Sequence, residues 1–361
     1  MPLSLNSEIM SELITKATDL LSRLIAIPSF SREEDATATL IEQFLKDEQI
    51  NPYRKGNNVW AKNKYYDPKL PSVLLNSHHD TVKPNTGYTR DPFKPVSSEG
   101  KLFGLGSNDA GGPLVSLIAT FLHFYNRQGL KYNVVLAATA EEEISGTGGI
   151  ESIWTDLLPI DFAIVGEPTN CEMATAEKGL MVLDCLARGK SGHAAREEGV
   201  NAIYAALDDI KWFKSYRFPK ISDTLGEMKM SVTIINSGSQ HNVVPDECRF
   251  TVDVRVTDMY TLEQALEIIK DNVKCEVTPR SLRIRPSGIS PNHPLVMAAV
   301  NRGIRLYGSP TTSDQALIPV PSVKIGPGDS ARSHSADEFI YLDDIGKGIG
   351  TYIGLLNDVI V

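Results

Sequence analysis

The side chains best suited to chemistry in this chain are imidazoles and carboxylates gathered at the ends of apolar segments. His78, His79 and Asp80 follow the stretch Val73 to Asn76. Asp109 stands in GLGSNDAGG, just before Gly111, Gly112 and Pro113. Glu142 and Glu143 follow the apolar run 134–140. Glu167 lies in VGEPT after residues 161–165, and His334 lies in RSHSADEF after residues 323–325. Imidazole and carboxylate form the donor set expected of zinc, or of cobalt or manganese in a similar site. Taken singly, each residue has a plainer reading. A histidine at a strand end is more often a hydrogen-bonded loop residue than a ligand. Asp109 could cap the helix after it, and Glu167 before Pro168 could be an exposed turn residue. Two histidines and three carboxylates at five such ends are hard to attribute to coincidence.

The densest stretch is YNVVLAATAEEEISGTGG, residues 132–149. Its apolar run suits a strand buried on both faces, and its glycines read as a tight turn. Like charges about 4 Å apart repel by roughly 4 kcal/mol at an effective dielectric of 20. Glu141, Glu142 and Glu143 at a strand mouth therefore call for a cation. If the strand continues through them, alternation puts Glu141 and Glu143 on one face and Glu142 on the other. One carboxylate could then bind a cation while its neighbour acts as a base. A solvated acidic loop explains the same run equally well.

The elements that must position these groups follow from periodicity. Residues 7–27 carry helical spacing ended by Pro28, and Ser31 with Glu34 forms a capping box for a second helix. Strands are expected at 58–62, 72–76, 134–140 and 161–165. Helices are expected at 114–125 and around 150–154. Strand and helix alternate, as in a mostly parallel sheet covered on both faces. Residues 178–189, 229–236, 248–257 and 274–285 then read as strands, with helices at 200–216 and 261–272. That order is the ferredoxin-like arrangement. Helices at 294–307 and 342–359 and a strand at 321–325 resume the first style. The fold class is α/β, a mostly parallel-sheet domain at 1–175 and 286–361. A ferredoxin-like α+β domain is inserted at 176–285. In open α/β sheets ligands gather outside the carboxyl ends of the strands, where the clusters above fall.

The chain has 361 residues, 42% apolar and 22% charged, with a net charge of −9. That size and apolar content suit a soluble globular protein with room for two domains. The acidic balance and the lack of any Lys/Arg-rich run exclude nucleic acid and anionic membrane as partners. The four cysteines show no zinc-type or redox spacing, which suits free thiols in a reducing cytosol. The N-terminal residues lack the pattern of a signal peptide. No apolar run approaches the ~20 residues of a membrane span. A cytoplasmic protein is expected.

The motifs resemble those of the acetylornithine deacetylase/succinyl-diaminopimelate desuccinylase family of two-metal peptidases and amidohydrolases, and most resemble its acetylornithine deacetylases. SHHDTV, GLGSNDAGG, TAEEE, GEPT, GKSGHAA and SHSADE match family motifs, and the likeness spans essentially the whole chain. The resemblance implies that His78, Asp109 and Glu167 hold one divalent metal, and that Asp109, Glu143 and His334 hold the other. Zinc is the first expectation, with cobalt or manganese as alternatives. It further implies that Asp80 orients His78, that Glu142 is the general base, and that the peptide after Asp109 is cis. His193 is the implied oxyanion donor, reaching the site from the partner subunit of a homodimer formed through the inserted domain, which also serves as a lid. Arg255 and Asn242 are implied to meet substrate. Residues 326–328 and the Thr312, Ser313, Asp314 turn are read as further backbone donors. Glu141 stands where the family usually has Asp, and Gly111 where Lys is common.

The implied reaction is hydrolysis of the amide of an N-acyl amino acid, N-acetylornithine or N-succinylornithine to ornithine in arginine biosynthesis. A di- or tripeptidase, or a succinyl-diaminopimelate desuccinylase, would share the architecture. A non-catalytic binding homologue would lack at least one member of the acidic and imidazole set.

Overall fold

The computed structural model of the chain describes residues 7–196 and 198–361, and they fall into two compact units. The first takes the chain up to Ala176, then Gly288–Tyr307 and Ser313–Val361; the second is Glu177–Ser287 with Gly308–Thr312.

The first unit is built on one large sheet. Seven of its strands run side by side in the order Tyr53–Lys55, Asn58–Lys62, Asn133–Thr139, Ser72–His78, Phe162–Val165, Ser322–Lys324 and Met173–Glu177. The four in the middle are mutually parallel, and their outer neighbours run antiparallel to them. Asn133–Thr139 and Ser72–His78 are buried along their whole length. Their alternate side chains explain why. Val73, Leu75, Val134, Leu136 and Ala138 pack on one face, with the helices Ser7–Ile25, Gly112–Tyr125 and Leu342–Ile360. Leu74, Val135 and Ala137 pack on the other, with the helix Ile150–Leu157. A strand covered on both faces reads as a continuous apolar run because neither set of side chains meets water. Truncating one such residue, as in Leu136→Ala, removes ~2–5 kcal/mol of stability. The parallel core sends the carboxyl ends of all four middle strands to one edge.

The second unit has four antiparallel strands in the sheet order Lys229–Ser237, Glu247–Val256, Gly179–Arg188, Glu276–Pro279. The helices Ala202–Ser215 and Leu262–Asn272 pack on them through Ala202, Ala206, Phe213, Leu262, Ala265 and Ile269. Strand order 2-3-1-4 with this βαββαβ sequence is ferredoxin-like.

Several elements differ from the sequence reading. The capping box at Ser31 and Glu34 does not form: the second helix starts at Asp35 with no side-chain cap. Ser31 instead donates to Asp80, and Glu34 accepts from Asn57 and two backbone amides. The strand expected over 274–285 is confined to Glu276–Pro279, ending at a residue with no N–H for the ladder. The helix begun at Pro294 stops at Asn301, because Gly303 takes a left-handed φ of 73° two residues later. Met173–Glu177 and a small sheet of Val96–Ser98, Lys101–Phe103 and Phe339–Tyr341 were too short to show a period.

Candidate metal centre

Four strand ends deliver the site. His78 is the last residue of Ser72–His78. Glu142 and Glu143 follow Asn133–Thr139, and Glu167 follows Phe162–Val165. His334 comes from the loop after Ser322–Lys324, and Asp109 from the turn before the helix Gly112–Tyr125. These residues converge as two donor groups that share one member: His78, Asp109 and Glu167, and Asp109, Glu143 and His334. Within each, the candidate donor atoms lie within 4.8 Å of one another. Asp109 turns Oδ1 to His78 Nε2 at 3.4 Å and Oδ2 to His334 Nε2 at 3.7 Å. His334 Nε2 also lies 3.0 Å from Glu143 Oε2.

His78 is oriented from behind. Its Nδ1 meets the Asp80 carbonyl oxygen at 3.0 Å and Asp80 Oδ1 at 3.3 Å, so the Nδ1 proton is held there and the Nε2 lone pair is aimed forward. That Nε2 is buried and makes no hydrogen bond. It faces carboxylate oxygens of Asp109, Glu142 and Glu167 at 3.4, 3.7 and 3.8 Å. A lone pair and three acceptors pointed at one small space require a proton or a metal cation among them. The donor set, imidazole nitrogen with hard carboxylate oxygens, fits zinc, cobalt or manganese.

The charge balance makes the same point. Burial pushes the Glu142 carboxyl well above the usual range, and the nearby charges of Glu167, Asp314 and Glu143 add to it. Burial likewise lifts Glu167 to about 8, with Asp109 and Glu143 contributing, and Asp314 to about 6. The imidazoles respond in the opposite sense. Burial alone would lower His78, but Glu142, Asp109 and Asp80 outweigh it and raise it well above its ordinary value. His334 is raised to about 9, mainly by its bond to Glu143. Carboxylates outnumber cations here, which is the electrostatics of a cation site.

Backbone contacts shape the loops. Glu338, buried, accepts from the amides of Gly106, Asn108 and Asp109 at 3.1, 2.8 and 3.0 Å and so clamps the Asp109 loop. The Asp109–Ala110 peptide is cis. The Asp80 carboxylate accepts from Glu142 N at 3.1 Å and Glu143 N at 3.2 Å.

The alternation expected through the triple glutamate is not what forms. The strand ends at Thr139, and Glu141 takes a left-handed φ of 57°. Glu142 and Glu143 therefore both face the site. Glu141 turns back to its own loop, accepting from Gly148 N at 3.2 Å with Arg32 at 3.8 Å. Asp109 does not cap the helix after it either, whose cap is Gly111. His79 stays out of the cluster. Its ring bonds Thr37 and the Asn57 carbonyl, and burial lowers it to about 4, so it is neutral.

Of the remaining expected site residues, Ser313, Asp314 and residues 326–328 lie in the first unit, and His193, Asn242, Arg255 and Thr312 in the second. His193 and Asn242 come together there: Gly192–His193 pairs with Val243–Val244, and Ala194 N donates to Asn242 O at 3.1 Å. Arg255 is engaged within its own unit by the two carboxylate oxygens of Asp253, at 2.9 and 3.0 Å, and by Thr312. Sequence reasoning passed over Glu338, Glu34 and Asp314 as supports. Glu338 alone carried a signal, its place in SHSADEF.

A model of peptidase family M20/M25/M40 matches residues 74–358. The chain belongs to that family. It is accordingly a metal-dependent hydrolase of amide bonds. Among its relatives is a LysW-lysine/LysW-ornithine hydrolase of Sulfurisphaera tokodaii, 29% identical over 357 residues, covering 95% of this chain and 96% of that protein. An acetylornithine deacetylase of Shigella sonnei is 28% identical over 350 residues, covering 88% and 91%. Among solved structures, aminopeptidase PepT from Bacillus cereus superposes with a TM-score of 0.77 at 16% identity, covering 96% of this chain and 98% of that one. That likeness is one of fold.

Proposed function

We propose that this chain releases ornithine, or a close relative, from an N-acyl form such as N-acetylornithine or N-succinylornithine, with two divalent cations at the strand-end cluster. The observation that carries the reading is Asp109, whose two oxygens face two different donor groups. His78, Asp109 and Glu167 would hold one cation, and Asp109, Glu143 and His334 the other. Zinc suits the donors first, cobalt or manganese next. When bound, the pair would supply a Lewis acid for the amide carbonyl and acidify a water for attack.

This chain's own residues do the rest. Asp80 fixes the His78 ring and, through two backbone amides, the segment bearing Glu142. Glu142, buried and with its affinity for a proton raised, accepts the proton of the attacking water and returns it to the departing amine. His193 donates to the oxyanion that develops on the carbonyl, and Asn242, held beside it, meets the substrate. Arg255 pairs with the substrate carboxylate after giving up part of its bond to Asp253.

Ornithine as product is supported by two relatives whose names both include ornithine. The second unit would serve as lid and dimer contact. Its outer strand Lys229–Ser237 exposes Ile234 and Ile235, and the helix beside it exposes Tyr204 and Leu207. Dimerisation there would let His193 of one subunit serve the other. A cytoplasmic place accords with the absence, among the described residues, of any helix long and apolar enough to cross a membrane.

The test is turnover by the metal-loaded protein on N-acetylornithine, N-succinylornithine, N-succinyl-diaminopimelate and dipeptides, with bound metal measured. Release of ornithine at the highest kcat/KM is expected. Preferred cleavage of dipeptides or tripeptides would replace this reading with the peptidase one.

A further inference from the structure

Asp314 opens the short turn Asp314–Leu317 and is buried, 3% exposed. Its Oδ2 accepts from Thr139 Oγ1 at 2.6 Å. In the amide orientation that satisfies both its ends, Asn76 donates to the same oxygen at 3.2 Å. The turn is anchored by Gln315, whose Nε2 donates to Ser322 O at 3.0 Å. Thr139 is the last residue of the strand that leads into Glu142 and Glu143, and Asn76 is two residues before His78. One carboxylate thus ties together the two adjacent parallel strand ends that deliver the core of the site.

A hydrogen-bonding role alone would be met by a neutral amide. Burying a charge costs far more than burying an amide unless a cation compensates it. Asp314 makes no ion pair among the described residues. The nearby charges that act on it are the His78 imidazole and the like charges of Asp80 and Glu142. The compensation therefore has to come from the site itself.

The geometry points to Asp314 as a positioning residue whose negative charge, bonded to Thr139, the ladder partner of His78, tightens cation binding by the His78, Asp109 and Glu167 group. The inference rests on the metal reading of that group, and its test separates the two. Metal-free protein is titrated with Zn²⁺ alone at pH 8 against a chromophoric chelator, resolving the two dissociation constants. In Asp314→Asn the side chain keeps its shape and its acceptor for Thr139 but loses the charge. One site should weaken by about 10–100-fold, the loss typical of changes behind a metal's ligands, while the other stays close to wild type. Asp314→Glu should restore most of that affinity. Thr139→Val, which removes the bond and leaves the charge, should cost much less than Asp314→Asn. Asp314→Ser gives a second neutral variant if the amide does not fold. Unchanged Zn²⁺ affinity in both neutral variants overturns the inference. A loss in Thr139→Val as large as in Asp314→Asn also overturns it, because geometry and not charge would then be the cause. Wild-type protein that binds no Zn²⁺ would overturn the metal reading itself.

Discussion

Glu142 is fastened to Asp80 through its backbone, its N–H donating to Asp80 Oδ1 at 3.1 Å, and that same oxygen lies 3.3 Å from His78 Nδ1. One buried carboxylate therefore sets both the ring that would face a cation and the segment that carries the proposed base. Moving Asp80 would disturb both at once.

The proposed base and its neighbours are separable by mutation. Glu142→Gln keeps shape but cannot take a proton from water. Turnover should fall roughly 10²–10⁴-fold, the range general-base catalysis supplies, with bound metal and KM little changed. Glu143→Gln should lose metal, and excess metal should partly restore its activity. Glu141→Gln should keep turnover near wild type, because its carboxylate faces Gly146 and Gly148 rather than the site. Steady-state kinetics with elemental analysis of the three variants decides. A dead Glu141→Gln with its metal in place would contradict the observed loop.

Asp109→Ala should empty both sites, since one oxygen serves each group. His78→Ala should empty mainly one. Metal content after dialysis, read by elemental analysis, distinguishes them. Near-complete retention of metal by Asp109→Ala would remove the bridging assignment.

Cation uptake should release protons. Glu167 at about 8 and His334 at about 9 both hold a proton at neutral pH in the metal-free protein, and a ligand must lose its proton to bind. Apparent affinity should therefore climb as pH rises through these values. The stability of the metal-free fold runs the other way. For Glu167 the folded pKa of about 8 exceeds the ordinary 4.5. Its contribution is full below the unfolded value and is lost as pH rises through about 8. Calorimetric titration in two buffers of different ionisation heat checks the first statement. Identical heats in both would refute it.

Gly111 tests the departure from the family's usual Lys. A Cβ built there would lie 2.3 Å from Gly106 O and 2.6 Å from Leu21 Cδ1. The φ is an ordinary −60°, so the objection is steric alone. Gly111→Ala should cost ~1–3 kcal/mol through overpacking, seen as a lower Tm. An unchanged Tm would show that the loop yields freely.

The local order of the chain was enough to place the chemistry on an edge. A buried parallel strand must be apolar on both faces, so runs such as residues 134–140 announce themselves, and the polar residue that ends each run has to fall where the ligands gather. His78, Glu142, Glu143 and Glu167 were legible for that reason as members of one cluster. Short-range periodicity could not tell where the strand before Glu141 stops. One left-handed residue there reverses the side that Glu141 faces, and the cause is contacts to Asp80 and Glu34, far away in sequence. Ser31 and Glu34 failed as a capping box for the same reason: distant partners offered their oxygens better bonds than the helix end did. The support given by Asp314 was beyond reach too, and for Glu338 only its place in SHSADEF hinted at one, since nothing local marks an acid as buried. Whether a carboxylate meets water, a backbone amide or a cation depends on which segments the sheet brings alongside it, and only the folded chain decides that.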